Sequence, residues 1–354
     1  MNRSTDSNKM SRVFNHTGWH LDGDQTIYLH AGGALGPSGP VAGIRTRLDQ
    51  GLDRYVLPDP PDGDDLREAV RASLSVLGVA SAPVGVALLA MVYRAPLGQI
   101  DFSGFLVGRT GVGKSELAAL AQQHYGPGMD RLGLPASWMS TANALQAIAF
   151  RIKDALLVID HFDPIDGHRM AERLLSRQHD APARTRSGAT RPPMPPRALI
   201  LGTGEAIPRG ESLRSHLLVL DVRPRDVSWG NLTFLQERAA SGRFAVAMAG
   251  YLRWLAATYD HQADRVNARE LRRPLLRGAV HPRTPDMIAS LNLGLERFLE
   301  FAEDTGAISA LKRLDIRGRA WDALFDLGEA QAADSPVGRK PVRRSGRFAG
   351  GPAT

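Results

Sequence analysis

The sequence predicts an α/β fold built on a mainly parallel sheet, with a small β-rich segment before it and a helical subdomain after it. Three observations carry this. Short continuous apolar runs recur in the middle of the chain, "ALLVID" at 155–160, "ALILGTG" at 198–204 and "HLLVLDV" at 216–222, the pattern of strands buried on both faces. Segments with helical apolar spacing alternate with them, and such alternation implies a parallel sheet under covering helices. A glycine-rich turn also links an earlier strand candidate, 102–107, to an alanine-rich helix.

The elements follow in chain order. Residues 1–60 read as β-rich, because "GWHLDGDQTIYLHAGG" sets β-branched and aromatic residues on either side of Asp22-Gly23, a hairpin signal. "GPSGP" and "LPDPPDGDD" then punctuate the chain. The core, 61–226, opens with a helix from Asp65 to Leu77, where Leu66, Val70, Leu74 and Leu77 share one face and Asp64 or Asp65 serves as cap. Pro83 starts a second, more buried helix through Tyr93. Phe102–Val107 is a strand, Ser115–His124 a helix, and Thr141–Lys153 a helix capped by Ser140 or Thr141. Past Asp226 the strands stop, so 227–328 reads as a helical subdomain with helices at 232–259 and 262–278. A further helix has Thr284 as its cap and Pro285 at its first position. Residues 329–354, with Pro, Gly and Arg and few apolar side chains, are expected to form a disordered basic tail.

Composition narrows the chemistry. The chain has 354 residues, 43% hydrophobic and 23% charged, the profile of a soluble globular protein. It has no cysteine, which excludes disulfides, thiolate metal sites and cysteine nucleophiles. The N-terminus lacks the apolar core of a signal peptide, and the longest apolar run, "VGVALLAMVY" at 84–93, is far short of the ~20 residues that span a bilayer. A cytoplasmic location is expected. The net charge of +7 is concentrated in 182–199, with four arginines and no acid, and 337–354, with five basic residues and no acid. Such segments either track a polyanion or are simply solvated.

"GRTGVGKS" at 108–115 satisfies G-x-x-x-x-G-K-[ST]. Phosphate oxygens need several converging backbone N–H groups, which a glycine turn presents without Cβ clashes. The following helix directs its N-terminal dipole at the same anion. Lysine occurs only five times in this arginine-rich chain, yet it stands here, where a point charge between phosphates is wanted. The pattern predicts a P-loop NTPase core (RecA/AAA-like) that binds ATP and Mg²⁺, with Gly108, Thr110, Gly111, Gly113, Lys114, Ser115 and Glu116 at the nucleotide. Ser115 and Asp160, the latter closing a buried strand expected to neighbour the turn, are the candidate Mg²⁺ ligands.

Hydrolysis also asks for a group that orients the attacking water. The residue after Asp160 is His161, not an acid, so turnover is expected to be slow or assembly-dependent, with Asp163 or Glu205 as substitute. Thr203, ending its strand, is placed between γ-phosphate and water. Arg209 and Arg214 either reach a neighbour's nucleotide in a ring, Arg214 being the favoured catalytic candidate, or lie on a surface loop.

The blocks "HTGWHLDGDQTIYLHAGGALGPSG", "LDRYVLPDPPDG", "YRAPLG", "GRTGVGKSELAALAQQHYG", "LPASWMSTANALQ", "DALLVIDHF", "RPPMPPRALILGTGE" and "IPRGESLR" resemble P-loop ATPases of the family called domain of unknown function 927. These belong to phage, plasmid and other mobile-element proteins of primase–helicase type. The resemblance covers roughly residues 12–260 and implies a helicase-like ATPase role for Gly108, Gly113, Lys114, Ser115, Asp160, Thr203 and Arg214. His161 departs from the acid often found there. The start of the chain close to "TGWH" suggests an upstream replication module that is missing or separately encoded.

Three uses of the energy stay open. In the first, the chain is a DNA motor or replication accessory, a homo-oligomeric ring with a possible primase partner. Arg184, Arg186, Arg191 and Arg197 would then hold the phosphates of single-stranded DNA. In the second, the site is a nucleotide-gated switch with little turnover. In the third, the arginine-rich segment is the lid of a small-molecule kinase.

Overall fold

The computed structural model describes residues 11–49, 51–165, 167–179, 194–258 and 283–333. It opens with β1 (Arg12–Phe14), β2 (Gly18–Asp22), β3 (Gln25–His30), β4 (Gly33–Gly36), β5 (Gly39–Pro40) and β6 (Ile44–Thr46). Strands β2 to β5 form an antiparallel meander, and β1 pairs in parallel with β6. The expected hairpin is present: Asp22 pairs with Gln25, leaving Gly23 and Asp24 as a two-residue turn.

Helix α1 (Gly63–Leu74) begins earlier than the aspartate caps predict, with Asp62 before it and Asp64 and Asp65 in its first turn, where acids favour the helix dipole. The last predicted turn tightens into a 3₁₀ segment at Ser75–Gly78. Helix α2 (Ala82–Arg94) has Pro83 in its first turn and is buried from Val84 to Arg94, as a helix apolar on all sides must be. Then follow β7 (Ser103–Val107), α3 (Lys114–Gln122), β8 (Ala136–Ser137) and α4 (Ala142–Arg151). Thr141 caps α4, its side chain accepting the Ala144 N–H at 3.3 Å. The core closes with β9 (Leu156–Phe162), α5 (His168–His179), β10 (Leu199–Gly204), α6 (Glu211–Arg214) and β11 (Leu217–Asp221).

The five core strands run parallel in the order β11-β7-β10-β9-β8. Strand β9 is therefore not adjacent to β7, as the sequence suggests, because β10 lies between them. Parallel alignment brings the C-terminal ends of all five strands to one rim, the usual ligand edge of such sheets. Alternation along β7 turns successive residues to opposite faces: Gly104 faces Met91 of α2, while Phe105 meets Phe162 edge-on at 5.6 Å.

The C-terminal helices are α7 (Trp229–Ala240), α8 (Arg243–Thr258), α9 (Thr284–Asp304) and α10 (Ala310–Ala333). The single helix expected over 232–259 is broken by Gly242 at φ 81°, a left-handed residue that ends α7. Helix α9 begins at Thr284 itself, after Arg283. Helix α10 runs to Ala333, past the predicted start of the tail. The helix expected at 262–278 and the tail from 334 onward lie outside the described residues. These helices share one continuous core with the sheet, running from Tyr28 to Leu327. Tyr93 of α2 stacks on Phe298 of α9 at 3.6 Å. At the sheet edge, Gln331 of α10 accepts the Val219 N–H at 2.9 Å and donates to Leu217 O at 2.7 Å.

Two buried imidazoles tie the packing to pH. His30 Nδ1 accepts the N–H of Leu57 at 3.1 Å and of Gly32 at 3.3 Å. His124 Nδ1 donates to Leu120 O at 3.0 Å, which leaves Nε2 to accept from Ser73 Oγ at 2.9 Å. Burial lowers both from 6.5 to about 4. The unfolded chain protonates first as pH falls, so their contribution is complete above 6.5 and disappears toward 4. Urea denaturation between pH 7 and 5 is expected to show stability falling by about 1.4 kcal/mol per pH unit for each histidine below 6.5. His124→Gln should remove its share of that slope.

Candidate functional site

The glycine turn 108–113 leaves the C-terminal end of β7 and enters α3. Gly108 admits no side chain, since a Cβ there would lie 2.3 Å from the Val222 carbonyl oxygen. Gly113, the residue before α3, has φ 92°, in the left-handed region that glycine tolerates. Lys114 folds back over the turn and donates to the carbonyls of Gly108 and Arg109, each at 2.8 Å. Partial burial lowers its pKa, opposed by the nearby acids Glu205 and Asp160.

Asp160 is the hub of the rim. It is 3% exposed, and a carboxyl group so buried requires donors. Ser115 Oγ donates to Oδ1 at 2.9 Å, Thr203 Oγ1 donates to the same oxygen, and His161 Nδ1 stands 2.8 Å from Oδ2. Residues from α3, β10 and β9 thus meet on one carboxyl group. A bulge sets this up. Gly202 pairs with Ile159 but Gly204 pairs with Phe162, so Asp160 and His161 together face Thr203. His161 is the surplus residue, at φ 63° and with its side chain 74% exposed.

The turn opens on a cleft of about 800 Å³. One wall is the turn itself, with Thr110, whose hydroxyl donates to Glu205 Oε1. The other is the segment after β11, with Pro224, Arg225, Val227 and Trp229. Of the two acids considered for orienting water, Glu205 lines the cleft. Asp163 instead accepts the Ile165 N–H at 2.6 Å within its own exposed loop. Glu116 is engaged elsewhere, accepting from Gln236 of α7 at 2.7 Å and pairing with Arg131 at 2.7 Å. Arg209 and Arg214 line a second groove, of about 660 Å³, which shares Asp221 with the first.

Arg197 lies just before β10, at the opposite end of that strand from Thr203. Its Nε donates to Phe150 O at 2.6 Å and its guanidinium lies 4.0 Å above the Phe150 ring. Burial lowers its pKa, with Asp154 opposing. Arg184, Arg186 and Arg191 lie outside the described residues.

Two features escaped the sequence reading. Trp229 and its neighbours reach the cleft from beyond the last strand, where no motif flags them. The "HTGWH" block is a clamp: Thr17 Oγ1 donates to Lys153 O at 2.9 Å, the Trp19 N–H goes to Asp154 Oδ2 at 3.1 Å, and Trp19 Nε1 donates to Pro96 O at 2.6 Å. It grips the turn that leads into β9.

The residues present suit a hard, oxygen-ligated cation beside a phosphate: Ser115 Oγ and Asp160 Oδ1 are adjacent, and Lys114 lies over the turn. Among solved structures, the chain is similar to "SCCmec type IV Cch - active helicase", with a TM-score of 0.55 and 15% identity. The match covers 91% of this chain and spans 61% of that one. The two share a mixed α/β fold. No protein-family model matches the sequence, so the family named above stays a resemblance carried by its motifs. No curated protein matches it significantly. Among the described residues, no helix is long and apolar enough to cross a membrane.

Removing one donor from the buried Asp160 is expected to destabilise the protein. Thr203→Val, nearly isosteric, should lower the unfolding free energy in urea by about 1–3 kcal/mol, the cost of taking a hydrogen-bond partner from a buried polar group.

Proposed function

We propose that this chain binds Mg-ATP in the cleft at the glycine turn and hydrolyses it to drive a helicase-type operation on DNA. The observation that carries the reading is the joint of Ser115, Asp160 and Thr203 beside Lys114, at the C-terminal rim of a parallel sheet. On this reading the core is a P-loop NTPase. Lys114 and the amides after Gly108 hold the β- and γ-phosphates, and Ser115 and Asp160 hold Mg²⁺, which neutralises charge developing on the phosphates. Thr203 positions the reacting end of the triphosphate. Glu205, whose carboxyl group reaches Thr110 at the mouth of the turn, orients the attacking water.

The similarity to a structure titled as an active helicase supports a helicase-type operation on nucleic acid, and Arg184, Arg186 and Arg191, between α5 and β10, are the proposed DNA contacts, Arg197 being held against Phe150. Arg214, in a groove apart from this chain's own turn, suits a role toward a neighbouring copy in a ring. One observation favours a second reading, a nucleotide-gated switch with little turnover: His161, not an acid, stands against Asp160.

ATP hydrolysis with and without single-stranded DNA separates the two. The motor predicts stimulation by DNA that weakens as salt rises; the switch predicts Mg-ATP binding with no stimulation. Under either reading, Lys114→Ala should weaken Mg-ATP binding at least about tenfold in calorimetry. For the motor, Glu205→Ala should cut turnover by about 10²-fold with little change in affinity, while Asp163→Ala leaves turnover within a few-fold. Equal effects of the two substitutions would remove Glu205 from the proposed role.

A further inference from the structure

The Mg-ATP reading accounts for one half of the cleft and leaves the other half without a task. Strand β7 stands between β10 and β11. Asp160, Thr203 and Glu205 all lie on the β10 side, so the γ-phosphate end of a nucleotide on the turn is drawn that way. The remainder of the molecule must extend toward the β11 side, and there the wall changes character. Past Asp221 at the end of β11, it is formed by Pro224, Val227 and Trp229 with Arg225 among them. Trp229 is the one aromatic side chain lining the cleft among the described residues.

Two facts set Trp229 apart from an ordinary surface tryptophan. It is 53% exposed, although a side chain of this size would gain from burial in the adjoining core. Its ring also lies against the phosphate turn: a Cβ at Gly113 would sit 3.3 Å from the indole Cη2. The exposed indole is thus held beside the place where a nucleotide's phosphates would end and its base begin.

We infer that Trp229 is the base platform of the nucleotide site, its indole stacking on the purine while Pro224 and Val227 exclude water from the edge. The inference rests on the Mg-ATP reading and deepens it. An aromatic face accepts any base, so this contact adds affinity for the base without selecting adenine.

The test compares Mg-ATP with Mg-tripolyphosphate, which has the phosphates and no base, by calorimetry on the full chain. Wild type should bind both. Trp229→Ala should weaken ATP about tenfold, within the range for loss of one stacked base, and leave tripolyphosphate unchanged. Trp229→Phe should restore most of the difference and abolish the part of the ATP-induced tryptophan quenching that wild type shows. Equal loss of both ligands in Trp229→Ala, or no loss of ATP, overturns the platform alone. Failure of wild type to bind either ligand overturns the Mg-ATP reading, and the platform with it.

Discussion

A buried carboxyl group with three polar neighbours organises this protein. Asp160 is expensive to bury and is tolerated because Ser115 and Thr203 donate to it from two other elements. That requirement fixes the relative positions of α3, β9 and β10 at the rim. It also explains the β10 strand between β7 and β9: the insertion brings the Thr203 hydroxyl alongside the acid. The bulge at His161 follows, since it leaves Asp160 aimed at the joint while Phe162 returns to the core at 5% exposure.

The far end of β9 is fixed just as carefully. Short β8 pairs only with Ile159 and Asp160, so the start of β9 needs other partners for its backbone. Gln122 of α3 accepts the Val158 N–H at 2.8 Å, and Tyr55 donates to Leu156 O at 2.9 Å. Tyr28 donates to Asp154 O at 2.8 Å, two residues before the strand. Asp154 itself sits at φ 52° and is almost fully buried, which raises its pKa. The N-terminal meander thus works as a foundation for the strand that carries the acid, a physical reason for joining this small sheet to the core.

The parts of the fold legible in sequence were those with local causes. The apolar runs marked β9, β10 and β11, Thr141 marked a helix start, and Asp22-Gly23 marked a hairpin. The glycine turn and Asp160 stood out as a fixed order of residue types, and the structure brings Asp160 to Ser115 at the end of that turn. Strand order was not legible, because it depends on which buried surfaces fit across the sheet. For the same reason Asp163 and Glu205 looked equivalent as letters, yet only Glu205 lines the cleft. Arg197 shows the converse: read from composition it was one of four like charges, and in three dimensions it fastens the end of α4 to the start of β10. Trp229 gave no signal, since an isolated aromatic at a helix start matches no pattern.

The side chain of Gln331 has a consequence for how copies of this chain can meet. A primary amide carries both N–H donors and a carbonyl acceptor, and here one N–H and the oxygen occupy the outer edge of β11 as a missing strand would. A row of open main-chain groups invites another sheet to extend it, and along Leu217–Val219 that invitation is withdrawn from within the same polypeptide. Self-association along this border would first have to displace the last turns of α10, so extension of the sheet across the β11 edge is disfavoured.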